Sequence, residues 1–70
     1  MTLNEFIESC PEGIRLGQWF IICYWKGEAT DQSRELFQLD GEAAKWYIFG
    51  VLTRWQWDIF NMPEFNRESL

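Results

Sequence analysis

The chain contains no histidine, and its only cysteines are Cys10 and Cys23. A closed zinc site wants four Cys or His ligands, so neither a metal nor a cofactor is expected. Nucleophilic catalysis needs an activated Ser, Cys or Thr beside a base, and without imidazole that base would have to be unusual. Both thiols also lie on apolar stretches, where cysteines are inert. Paired carboxylates remain for acid–base chemistry, but Glu5 with Glu8 and Asp40 with Glu42 read as solvated helix ends. Gly13 and Gly17 match neither GxxxxGK[ST] nor GxGxxG, the glycine patterns that cradle phosphates. No enzymatic activity is expected.

Basic residues are scarce as well, six against eleven acids, for a formal net charge of −5. Arg15, Lys26, Arg34, Lys45, Arg54 and Arg67 form no cluster, so the footprint needed for direct nucleic-acid binding is missing. The acids are equally dispersed and read as a solubilising surface. The longest unbroken apolar run is Trp19 to Trp25, far short of the ~20 residues that span a bilayer. The opening MTLNEFIES carries two carboxylates and no base, unlike a signal or transit peptide. A Cys10–Cys23 disulfide can be drawn, but cysteines within apolar runs more often pack as reduced thiols. A cytoplasmic protein without membrane contact is expected.

What the chain has in abundance is aromatic surface: six Phe, five Trp and two Tyr among 70 residues. A domain of this size buries only about 60% of the surface its unfolded chain exposes. Five indoles and six phenyl rings therefore exceed what one small core can hide. Some of that surface should meet a partner or a second copy of the chain.

Periodicity points to an all-α domain of three helices over residues 1–60, with a frayed tail at 61–70. Thr2-Leu3-Asn4-Glu5 has the form of a capping box, and Leu3, Phe6, Ile7 and Cys10 follow at helical spacing. These place the first helix at 3–10, ended by Pro11. The second, at 13–26, is apolar almost all round and so should lie centrally, with Gly27 as its stop. Its WFIICYW core is also rich in strand-favouring residues, which leaves a buried strand as the competing reading. Residues 28–33 read as a loop, and 34–40 as either one helical turn or a short extended piece. Asp40 then caps a third helix over 41–57.

That third helix carries two apolar stripes. Ala44, Ile48, Val51, Leu52 and Trp55 fall within roughly 100° of one another and form a core face. Trp46, Phe49, Gly50, Thr53 and Trp57 fall on the opposite side. One small domain has one core, so the second stripe either lies under Phe37, Phe60 or Phe65 or binds a partner. Enrichment of Trp at binding hot spots favours the partner, with Gly50 as a notch between Trp46, Phe49 and Trp57.

The stretch from Pro11 to Phe20 resembles short phage and prophage proteins of unassigned function. In these a first helix ends at Pro, Arg-x-Gly-Gln opens an apolar helix, and a helix rich in aromatics follows. The specific part of the likeness is Arg15, Gly17 and Gln18. The asparagine common a turn later is replaced here by Ile22 and Cys23. The resemblance implies a phage-type accessory protein that binds and modulates or inhibits a host or viral protein. A homo-oligomerising structural module is the alternative, and a DNA-mimic inhibitor a weaker one, since mimicry wants acids in regular rows.

Overall fold

A computed structural model describes residues 1–25 and 27–64. It shows an all-α globule with extents of 28 × 27 × 25 Å and, among the described residues, no strand. The described residues form four helices: α1 Leu3–Glu8, α2 Leu16–Tyr24, α3 Asp31–Phe37 and α4 Gly41–Arg54. The strand reading of WFIICYW is thereby excluded. The three-helix expectation is corrected to four, because the segment expected to be irregular holds α3.

The capping box of α1 forms as its sequence suggests. The Glu5 amide donates to Thr2 Oγ1 at 3.1 Å, and the Thr2 amide donates to Glu5 Oε1 at 2.9 Å. α3 opens on a second box that uses Ser33 where the usual signature has Glu or Gln. The Ser33 amide donates to Thr30 Oγ1 at 3.2 Å and the Thr30 amide to Ser33 Oγ at 2.8 Å. That substitution is why 28–33 reads as a loop in sequence.

α2 starts later than residue 13 because Gly13 takes φ +85° and Arg15 is extended. Its first amides are satisfied from across the fold. The Leu16 amide donates to Asp40 Oδ1 at 2.9 Å, and the Gly17 amide to the Leu39 carbonyl at 3.0 Å. Amides of Leu16 and Gly41 around its carboxylate hold the Asp40 pKa below its ordinary value. Asp40 is thus the N-cap of α4 by backbone position, while its side chain serves α2. A Cβ at Gly17 would run into the Leu36 carbonyl, so this glycine lets α2 and α3 touch. Arg15 finishes the junction. Its Nε donates to the Phe37 carbonyl at 3.3 Å, and its guanidinium lies 5.8 Å from the centre of the Phe37 ring. The helix ends at Tyr24 with Trp25 as its C-cap, so Gly27, although it adopts a positive φ, is not the stop residue that was expected.

α2 is central, packed on both α3 and α4. The core holds Leu3, Phe6, Leu16, Trp19, Phe20, Tyr24, Leu36, Ala44, Ile48, Val51 and Leu52. The Trp19 indole donates to Ser9 Oγ at 3.1 Å, so its polar edge is satisfied inside that core. Cys10 and Cys23 are half-buried and are not joined to each other by a disulfide.

α4 stops three residues before the expected 57. Gln56 adopts φ +62°, its amide donates to the Thr53 carbonyl at 3.1 Å, and the Trp57 amide donates to the Leu52 carbonyl at 3.0 Å. This pair of bonds is a Schellman motif, with Gln where glycine is usual. The chain then folds back. In the described part of the tail expected to fray from 61, Met62 is buried and Tyr24 Oη donates to the Pro63 carbonyl at 2.6 Å. Met1 and Met62 exchange two hydrogen bonds, at 2.7 and 2.8 Å. The rest of that expectation falls on 65–70, outside the described residues. No helix among the described residues is long and apolar enough to cross a membrane.

Candidate partner-binding surface

The core stripe of α4 packs inward as its spacing demands, with Ala44, Ile48, Val51 and Leu52 all buried. The opposite stripe stays together for two turns and then divides. Trp46 is 62% exposed and Phe49 40% exposed, and their rings meet edge-to-face with centroids 6.0 Å apart. Gly50 is half-buried with open space where a Cβ would stand. It leaves room beside the rings, although nothing in the fold demands a glycine there. Thr53 is exposed, and its hydroxyl is spent on the Phe49 carbonyl at 2.8 Å. Its methyl is what remains to offer a partner.

Trp57 does not belong to this surface. Trp57 would align with Trp46 only if the helix continued, and the left-handed Gln56 intervenes. Trp57 instead stands beside Trp55, at 5.1 Å between centroids, and edge-on to Tyr24 at 5.6 Å. Its place next to Trp46 and Phe49 is taken by Phe60. An Asp58-led turn presents that ring: the Phe60 amide donates to Asp58 Oδ1 at 2.8 Å and the Asn61 amide to the Asp58 carbonyl at 3.1 Å. Phe60 does not cover the stripe, since it is itself 76% exposed. Phe37, another expected cover, is engaged by Arg15, and Phe65 lies outside the described residues.

The resulting surface is a shallow cleft of about 160 Å³ lined by Thr2, Leu3, Asn4, Lys45, Trp46, Phe49, Ile59 and Phe60. Its floor is set by the return of the chain, where the Leu3 amide donates to the Ile59 carbonyl at 2.8 Å. Lys45 Nζ lies 5.7 Å from the Trp46 ring centre, a cation placed against an indole face. Thr2 and Asn4 give the rim polar character. The cleft therefore combines an apolar floor with a rim able to donate and accept hydrogen bonds. Sequence reading missed Phe60 and Ile59 as members, though the Asp58 turn signal was present.

The comparisons with known proteins add no identity: no family model matches the chain, and neither a curated protein nor a solved structure does.

Proposed function

We propose that the protein is a small acidic binding module that acts by seating one surface on a protein partner, modulating or inhibiting it without chemistry of its own. The observation that carries this reading is the contiguous exposure of Trp46, Phe49 and Phe60 around one cleft. Large aromatic rings left in water on a small domain raise its free energy unless something else covers them. Trp at the centre of a patch with a polar rim is the common composition of a binding hot spot.

The likeness to phage accessory proteins supports a phage setting through Arg15, Gly17 and Gln18 only. Arg15 and Gly17 close α2 on α3, so those two residues mark a way of folding and not a binding site. A second reading, self-association, draws on the same exposed Trp46, Phe49 and Phe60, since an apolar patch can face its own copy across a two-fold axis.

The test uses the wild-type chain and the double variant Trp46→Ala/Phe60→Ala as baits in a bacterial lysate, with captured proteins quantified by mass spectrometry. Loss of a specific prey from the variant supports the proposal, and equal capture by both baits overturns it. Light scattering on the purified chain separates the second reading. A dimer that the double variant abolishes makes the occupant a second copy.

A further inference from the structure

A second aromatic cluster lies where α2 and α4 both end. Among the described residues, Tyr24, Trp25, Trp55 and Trp57 line an open hollow of about 330 Å³. Their rings are not stacked into a slab. Trp25 and Trp55 meet at 53°, Trp55 and Trp57 at 59°, and Tyr24 and Trp57 at 85°, with centroids 5.1–5.6 Å apart. Steep angles between successive rings turn different faces and edges toward one space. The backbone enforces this arrangement: Trp25 leaves α2 in an extended conformation, and the left-handed Gln56 swings Trp57 off the axis of α4. Trp55 is fixed from behind by Phe20, stacked at 5.8 Å.

Among the described residues, the rings and helix ends that wall the hollow favour a cation. Aromatic faces carry negative potential, and indole is the strongest of the three ring types. Helix C-termini carry partial negative charge, and two of them, those of α2 and α4, adjoin the site. Asp58 follows Trp57 directly, while the Glu64 carboxylate near Tyr24 is balanced by the N-terminal ammonium 3.4 Å away. Arg54, in the last turn of α4, has its Nε turned back to the Gly50 carbonyl at 3.4 Å.

We propose that this hollow is a binding site for a quaternary ammonium group, the chemistry shared by choline and trimethyllysine. Such a cation sheds water readily and is held by ring faces, with no need for a buried carboxylate. The site is separate from the Trp46 cleft and does not rest on the function proposed for that cleft.

The test follows the indole N–H signals of the full chain by NMR during titration with tetramethylammonium, choline and trimethyllysine. Sodium chloride serves as the ionic control, and 3,3-dimethylbutan-1-ol as the neutral isostere of choline. The expected result is saturable movement of the Trp25, Trp55 and Trp57 signals with Trp46 still, and binding at least about tenfold tighter for choline than for its isostere. Trp57→Leu keeps apolar volume and removes the ring, so it should erase that preference while circular dichroism and melting show a retained fold. Equal binding of choline and the isostere overturns the proposal, as does movement that never saturates. Those wild-type titrations decide the question even if the variant fails to fold. Response to one natural source and not the other identifies which ligand the site accepts.

Discussion

Trp46 and Phe49 stand on the wet face of α4, supported by their own helix and by the turn that carries Phe60, whereas Trp55 and Trp57 sit just past its end, half-buried against Phe20, Tyr24 and Trp25. The residue types are the same and the distance along the chain is short. What differs is the number of sides from which protein reaches each ring. The first group meets mainly water on its outer faces, while the second is enclosed by two helix ends and by one another. Aromatic content alone therefore does not tell how a group of rings is exposed or what it can receive.

The largest effect that would break this comparison is on stability. Trp55→Ala should cost about 3 kcal/mol and Trp57→Ala about 2 kcal/mol in denaturant melts, because each empties a packed position. If either costs no more than Trp46→Ala, the two groups are not distinct. A second effect appears only in alkali. Burial, with Cys23 and Glu64 adding to it, pushes the Tyr24 hydroxyl up to about 12 from an ordinary value of 10. A folded pKa above the unfolded one gives stability that is complete below about pH 10 and lost as pH rises toward 12. Melting temperatures measured across that window should fall for the wild type. Tyr24→Phe, less stable at neutral pH for want of its bond to Pro63, should fall less.

Gln56→Gly sharpens the comparison at the residue that divides the stripe. Relief of a left-handed non-glycine residue should raise stability by about 1 kcal/mol, leaving the Trp57 indole signal in place. Loss of the Trp57 position on that substitution would mean that the turn is not what holds the ring. The smallest effect is expected for Trp46→Ala, within about 0.5 kcal/mol of wild type in the same melts, as for surface substitutions in general.

Much of this was legible in the sequence, for physical reasons that also set the limits. The Thr2–Glu5 box and the Ala44–Leu52 stripe are local patterns, and local bonds alone form them. α3 was not legible because its box closes through Ser33 in place of a long acidic or amide side chain. The split of the second stripe was not legible either. Helical angles contain no information about where a helix ends, and Gln56 lacks the glycine that usually announces a Schellman stop. Arg15 and Gly17 stood out as a pattern, but their purpose depends on carbonyls at Leu36 and Phe37, which only the fold brings near.

Asp40 carries a consequence for how the protein folds. Its carboxylate closes the start of α2 from a position 24 residues further along the chain, while its backbone begins α4. The most apolar helix thus lacks its terminating acceptor until the far half of the chain has arrived. A peptide holding only residues 16–24 has neither that acceptor nor the length for independent helicity. Closing so wide a loop costs entropy before any reward appears, so assembly should be concerted and not helix by helix. A single carboxylate would then act as a checkpoint, joining the completion of one helix to the birth of another.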